Sequence, residues 1–367
     1  MALLQQSPKF ATTIASTSLE HQQGHIHWRV PSNIALIKYW GKRGVQLPQN
    51  PSLSFTLQHA YTEMQLDFRP SSTGKRIVEF YFEGMPNEKF RAKIVQFLET
   101  YPEEFTFTEK LHLTFHSINS FPHSAGIASS ASSMGALALC LVSLAQKCGI
   151  DWGRLETTWQ KASYWARLAS GSACRSIYGG YVLWGAVPEL PHSSDLYALP
   201  LSQENIHPIF ANFCDSILII SAEEKAVSSR AGHALMNGHP FAEARYQQAR
   251  THLKQLLEAL AMGNLEKFIT IVENEALTLH GLMMNSYPSF ILMKPATLAV
   301  IEQLRNFRRQ REIPLAFTLD AGPNVHVLYP AAFRQEVRNF IDEELVKYCQ
   351  QNRYIHDEVG TGPILFQ

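Results

Sequence analysis

The stretch Phe121-Pro-His-Ser-Ala-Gly-Ile-Ala-Ser-Ser-Ala-Ser-Ser133 runs directly into an apolar segment over 134–144. Small residues let backbone amides come close to an anion, and a helix starting here points the positive end of its dipole at the same place. Ser129, Ser130 and Ser132 add hydroxyls for phosphate oxygens or for a bound cation. A helix cap needs one such hydroxyl, whereas this loop also carries Ser124 and Gly126. The spacing is neither the Walker pattern nor the dinucleotide pattern GxGxxG. The stretch predicts a phosphate-binding loop that opens a helix over 132–147.

Outward from that loop the chain reads as a mixture of strands and helices. Towards the N-terminus, alternation predicts strands over 34–40, 52–57, 62–68, 78–82 and 110–117, with a helix over 90–99. Gly41, Gly44, Pro48 and Pro51 punctuate the turns. Towards the C-terminus, a helix over 155–169 precedes a second Gly/Ser segment, 170–180, which feeds a strand over 181–184. Polar, proline-containing sequence over 188–205 reads as the connection between two domains. Beyond it come a strand over 215–221, helices over 241–262, 265–284 and 296–309, and strands over 315–319 and 325–329. A helix over 331–349 and a short strand over 354–356 follow. No fixed-period repeat or heptad array is present.

Composition narrows the function. Among 367 residues, 32 Lys and Arg balance 32 Asp and Glu, so no bulk positive field favours nucleic acid or an anionic membrane. The hydrophobic fraction of 46% is that of a globular protein. The five cysteines are scattered and contain no CxxC, which supports neither a disulfide framework nor a zinc site and fits a reducing cytoplasm. Residues 1–23 lack a basic region followed by an apolar core and read as a polar, disordered tail rather than a secretory signal. No apolar run is long enough to span a bilayer.

Three further constellations carry chemistry. In Asn33-Ile-Ala-Leu-Ile-Lys-Tyr-Trp-Gly-Lys42, a strand would place Lys38 on the face of Ile34 and Leu36, where a lysine is costly unless paired. In Ser170-Gly-Ser-Ala-Cys-Arg-Ser176, Arg175 sits among small residues that suit forked recognition of carboxylate or phosphate. In Asp320-Ala-Gly-Pro-Asn324, Asp320 ends an apolar strand, placed either for catalysis or as the start of an Asx turn. Fifteen histidines show no metal-binding spacing, and His123, His280 and His326 read as structural or cleft-lining.

Taken together, these motifs resemble a known family. Pro122-x3-Gly126-Ile-x-Ser-Ser-Ala131 is similar to the ATP-binding motif of the GHMP kinase superfamily. With it, Asn33–Lys42, Pro48-x-Asn50-x-Ser-Leu-Ser54, Ser170–Ser176 and Asp320–Asn324 resemble the diphosphomevalonate decarboxylases, and the likeness runs from about Asn33 to Gly360-x-Gly-Pro363. The resemblance implies an α+β, two-domain GHMP kinase fold. Residues 24–200 would form an ATP-binding domain like ribosomal protein S5 domain 2, and 201–367 a ferredoxin-like domain, around a central cleft. It implies ATP-dependent decarboxylation of mevalonate 5-diphosphate to isopentenyl diphosphate, through phosphorylation of the 3-hydroxyl. ATP and Mg²⁺ are the expected co-substrate and metal, and a homodimer the expected assembly.

The same resemblance assigns roles. Asp320, Lys38 and Arg175 are the expected catalytic residues. Tyr39, Trp40, Gly41, Lys42, Ser170, Gly171, Ser172, Ala173, Cys174, Ser228 and Ser229 are the expected substrate site. Ser124, Gly126, Ala128, Ser129 and Ser130 are expected at ATP, with Ser129 also a ligand of Mg²⁺. The chain departs from the family pattern in the short turn between Lys42 and Pro48, at His123 and Ser133, and in Asn285-Ser-Tyr-Pro288. Alternatives are a related mevalonate or mevalonate-phosphate kinase, a monophosphate decarboxylase, and an inactive ATP-binding relative.

Overall fold

The structure, a computed structural model, describes residues 13–14, 23–121, 129–223 and 229–366. One long strand organises the first half. β1 (Gly24–Ala35) lies antiparallel along β2 (Ser52–Pro70), with a register shift between Pro31 and Asn33. Separate strands were expected over 52–57 and 62–68, but β2 is continuous. The reason lies elsewhere in the chain. The Asp357 carboxylate accepts the backbone N–H groups of Gln58 (2.7 Å), His59 (2.9 Å) and Ala60 (2.7 Å), satisfying the donors where the two segments join.

On the other side of β2, its first part pairs with β6 (Tyr181–Trp184) and its second part with β5 (Leu111–Asn119). β7 (Ala198–Pro200) extends the sheet beyond β6, while β3 (Ile77–Phe82) and β4 (Met85–Pro86) extend it beyond β5. β7 falls within the stretch 188–205 expected as a connector, so part of that stretch belongs to the sheet. Helices α1 (Glu88–Thr100), α2 (Ser129–Lys147) and α3 (Leu155–Ala169) share a core with this sheet, in which Val30, Leu66 and Phe115 meet Leu137, Leu141 and Trp165. Within 1–23, expected as a disordered tail, Thr13–Ile14 forms a two-residue ladder with Ile150–Asp151.

The second half holds a four-stranded antiparallel sheet of β8 (Cys214–Leu218), β9 (Ala316–Thr318), β10 (Val325–Tyr329) and β11 (Tyr354–Glu358), in the order β9-β10-β8-β11. Between β8 and β9 run α4 (Ser229–Ala234), α5 (Ala242–Met262), α6 (Leu265–Met284) and α7 (Pro295–Arg311), and α8 (Arg334–Phe340) lies between β10 and β11. This is the ferredoxin-like split βαβ arrangement, enlarged by helices. The single helix expected over 331–349 is a helical run of changing pitch, widening to a π turn at Ile341–Leu345. Its buried residues Val337, Ile341 and Leu345 recur every four positions, and a wider turn keeps that spacing on one face.

β12 (Ile364–Phe366) then returns to pair with β1, completing an eight-stranded sheet in the first half. The halves also share a buried apolar cluster. Ile34, Leu36, Leu53 and Phe55 meet Ala249, Leu253, Phe268 and Ile271 from α5 and α6. All five cysteines are buried and unpaired. No helix among the described residues is long and apolar enough to cross a membrane.

Candidate active site

Alternation over 34–40 predicts a strand, but β1 ends at Ala35. The N–H groups of Leu36 and Ile37 both donate to the Leu53 carbonyl, at 2.8 and 3.1 Å, and the chain turns out of the sheet. That turn carries Lys38 into the seam between the halves, where it is 2% exposed. Its Nζ lies 3.1 Å from Asp320 Oδ1. Burial lowers the ammonium's hold on its proton; Asp320 foremost and then Glu275 oppose that, while Arg175 adds to the lowering.

Asp320 leaves β9 in a tight turn. Its carbonyl accepts from Gly322 N–H at 2.7 Å and from His280 Nε2 at 3.0 Å. With its backbone held this way, the side chain remains 27% exposed, the open partner of a buried lysine. His280 therefore lines the site, whereas His326 pairs with Asp215 at 2.7 Å inside the second sheet.

Arg175 lies on a 3-10 turn, Gly171–Ile177, and is 3% exposed. Its Nε donates to Asn33 Oδ1 at 3.3 Å and its Nη1 to Ser52 Oγ. Asn33 is itself fixed by donating to Ser176 Oγ at 2.8 Å. These bonds leave Nη2 without a partner among the described residues, so the guanidinium is oriented but not used up. The side chains of Ala173 and Cys174, expected at the substrate, face the core instead. Ala173 joins the core of the first half, and Cys174 packs with Val182, Trp184 and Ala198. Only their backbone is available to a ligand.

Tyr39, Trp40 and Gly41, expected at the substrate, meet around one histidine. The Tyr39 ring lies 4.3 Å and the Trp40 ring 4.7 Å from the His233 ring, and Gly41 N–H donates to His233 Nδ1 at 3.0 Å. Burial, and then Lys42, hold His233 down at about 3, so the ring is neutral and can accept that bond. Gly41 has φ +92°, and a Cβ there would run into the Tyr246 hydroxyl. Tyr39 also meets Trp184 at 4.6 Å and comes close enough to Gly171 to leave no ordinary room for a side chain. Its hydroxyl is buried and has no hydrogen-bond partner among the described residues. Lys42 donates to Gln46 Oε1 at 2.9 Å across the short hairpin of Lys42–Arg43 with Leu47–Pro48.

Ser229 begins α4, the helix that brings Gly232 and His233 against Trp40. Ser228, Ser124, Gly126 and Ala128 lie outside the described residues, as does His123. α2 starts at Ser129, with Ser130 exposed beside it. Ser132, expected as a third phosphate donor, is turned inward instead, 2.7 Å from Thr62 Oγ1.

Two functional candidates escaped the motif reading. Glu275 and Arg245 are both buried, pair with each other, and bond to the peptide of Lys38. The signal was present as periodicity. Glu275 shares the face of Phe268, Ile271, Val272 and Leu279, and Arg245 that of Ala249, Leu253 and Leu256. A charged residue on an apolar helix face needs a partner.

Comparison with known proteins agrees with this geometry. Residues 30–196 match the diphosphomevalonate decarboxylase-like N-terminal domain, and residues 216–363 the mevalonate 5-diphosphate decarboxylase C-terminal domain. The chain is 30% identical to the diphosphomevalonate decarboxylase of Schizosaccharomyces pombe, over 91% of this chain and 85% of that one. It resembles a structure of MDDEF in complex with MVAPP, AMPPCP and magnesium, at 30% identity and a TM-score of 0.79, covering 94% of this chain and 100% of the other. Mevalonate diphosphate decarboxylase from Staphylococcus aureus is similar at 27% identity and a TM-score of 0.80, over 94% and 99% of the two chains. With both domain models matched in order and Lys38, Arg175 and Asp320 brought to one place, the chain belongs to the diphosphomevalonate decarboxylase family.

Proposed function

We propose that this protein uses ATP to phosphorylate the tertiary 3-hydroxyl of mevalonate 5-diphosphate. Loss of that phosphate then breaks the bond to the carboxylate, releasing carbon dioxide and leaving the double bond of isopentenyl diphosphate. The products are ADP, inorganic phosphate, carbon dioxide and the isoprenoid diphosphate. The observation that carries this reading is the buried Lys38 held against the open carboxylate of Asp320, with Arg175 beside them.

A tertiary alcohol is a crowded, weak nucleophile, so a carboxylate must orient it or accept its proton. Asp320 fills that role. Lys38 keeps the carboxylate in place and supplies positive charge where the transferring phosphoryl group gains negative charge. Arg175, anchored by Asn33 and Ser52, offers its remaining N–H edge to the carboxylate that is lost or to the diphosphate. Tyr39, Gly41, Lys42 and the backbone of 170–174 shape the diphosphate end, to which the family resemblance adds Ser228 and Ser229.

ATP belongs at the start of α2, where Ser129 and Ser130 follow the loop glycine Gly126. Among the described residues no group of three His, Cys, Asp or Glu side chains could hold a metal alone. That fits a magnesium ion bound chiefly through nucleotide phosphates, with Ser129 as its protein ligand. When bound, it would neutralise phosphate charge.

The test measures ADP and carbon dioxide together, with mevalonate 5-phosphate and mevalonate 5-diphosphate as separate substrates. Equal amounts of both products from the diphosphate are expected. ADP without carbon dioxide would make this a kinase, and preference for the monophosphate would move the substrate assignment.

A further inference from the structure

We propose that the buried Arg245–Glu275 ion pair is a positioning clamp, which grips the peptide of Lys38 from both sides and so sets its ammonium on Asp320. The inference rests on the decarboxylase reading for the task given to Lys38. Once the chain leaves β1, the peptide groups of Lys38 find their partners among the described residues in side chains. Its N–H donates to Glu275 Oε2 at 2.8 Å. Its carbonyl accepts from Arg245 Nη2 at 3.1 Å and from Asn50 Nδ2 at 3.0 Å.

The two clamp residues hold each other in a fork, Arg245 Nη1 to Glu275 Oε1 at 2.7 Å and Nη2 to Oε2 at 2.5 Å. His252 Nδ1 lies 2.7 Å from Oε1, and Arg245 Nη1 also donates to Gln248 Oε1 at 3.1 Å. Arg245 comes from α5 and Glu275 from α6, whereas Lys38 belongs to the first half of the chain. The clamp therefore fixes the loop of one half to the helices of the other, at the residue that must meet Asp320.

A buried ion pair is often no more stabilising than well-packed apolar side chains. Tight packing between α5 and α6 would not need these charges. Their geometry suits the backbone of Lys38 instead, whose N–H an apolar pair would leave unsatisfied. Charge adds a second effect. Burial pushes the Glu275 carboxyl up, but Arg245, His252 and the Lys38 N–H outweigh it and bring it to about 2, so it is ionised. It then joins Asp320 in favouring the protonated Lys38, against Arg175 and against burial itself.

Substitutions at Glu275 separate position from charge. Glu275→Gln keeps an oxygen for the Lys38 N–H but removes the charge; the alkaline limb of kcat should move to lower pH. Glu275→Asp keeps the charge but shortens the reach, so kcat should fall roughly ten- to a hundredfold at neutral pH, with the limb unmoved. KM for either substrate should stay within about twofold in both variants, because the lost interaction concerns the transition state. Arg245→Lys keeps a cation but loses the two-nitrogen fork that holds Glu275 while reaching the Lys38 carbonyl, and should lower kcat in the same way; it carries the test if the Glu275 variants do not fold.

A readout independent of turnover is the titration of Lys38 in protein carrying ε-¹³C-lysine, its signal assigned by loss in Lys38→Arg. The ammonium should lose its proton at lower pH in Glu275→Gln than in the unaltered protein. Variants that melt lower but keep kcat per folded molecule, the pH limb and the Lys38 titration would overturn the clamp and leave an ordinary structural ion pair. Absence of carbon dioxide release by the unaltered protein would contradict the decarboxylase reading instead, and the Lys38 titration would still decide the clamp.

Discussion

Lys38 Nζ and Asp320 Oδ1 lie 3.1 Å apart across 282 positions of sequence, the lysine 2% and the aspartate 27% exposed. The asymmetry divides the labour. The buried partner holds charge where water cannot screen it, and the open partner is the one a substrate could reach. Each partner also has its backbone pinned separately, Lys38 by Glu275, Arg245 and Asn50, and Asp320 by His280 and Gly322.

Arg175→Lys tests whether the fork geometry matters as well as the charge. Lysine can neither keep both the Asn33 and Ser52 anchors nor present a free edge. Hydrogen bonds to charged groups contribute about 1.5–3 kcal/mol, so kcat/KM for the mevalonate diphosphate should fall roughly ten- to a hundredfold. Affinity for ATP should change little. Steady-state kinetics with each ligand varied in turn checks this, and damage confined to ATP binding would mean the two loops are assigned the wrong way round.

Gly41→Ala tests the fit of the 38–42 loop. The left-handed backbone and the Tyr246 hydroxyl both oppose a Cβ, and strain of this kind costs about 1–3 kcal/mol. The variant should melt lower, and because Gly41 N–H is tied to His233, the KM for the diphosphate substrate should rise. An unchanged melting temperature with unchanged KM would remove Gly41 from the site.

His233 gives a pH dependence with a definite sign. Its folded value of about 3 lies below the usual 6.5, so the unfolded chain binds the proton more readily between those values. The stability tied to the neutral ring is complete above about pH 6.5 and is lost as pH falls towards 3. In His233→Asn an amide oxygen can take the place of Nδ1 without titrating. Urea unfolding at pH 7 and pH 4.5 should therefore show a smaller acid loss of stability in the variant than in the unaltered protein. Equal losses would place the ring in solvent.

The regular elements were legible where one period dominates. α3 at Leu155–Ala169, β6 at Tyr181–Trp184 and β10 at Val325–Tyr329 have the ends that periodicity and flanking glycines predict. The reading failed at 34–40 because Leu36 and Ile37 both donate to the Leu53 carbonyl, which ends the strand at Ala35. The Leu53 carbonyl that draws both N–H groups out of the pleat is a tertiary contact, which alternation cannot show. Arg175 and Lys38 were recognisable from their small or apolar neighbours. The local pattern around Asp320 suits a turn as well as catalysis, and only the family resemblance gave it the catalytic role. Glu275 and Arg245 belong to no motif and show only as charges on buried helix faces. The inward turn of Ser132 depends on Thr62, which no local pattern reveals.

The most direct test of the account is Asp320→Asn, followed for ADP and carbon dioxide from mevalonate 5-diphosphate in a single turnover, with ATP binding measured on the same folded sample. Asparagine preserves the side chain's shape but removes the charge that pairs with Lys38 and that can accept the hydroxyl proton. ATP should bind nearly as in the unaltered protein, while both ADP and carbon dioxide formation are lost. Near-normal release of both products from the variant would contradict the account and return Asp320 to the role of a turn residue.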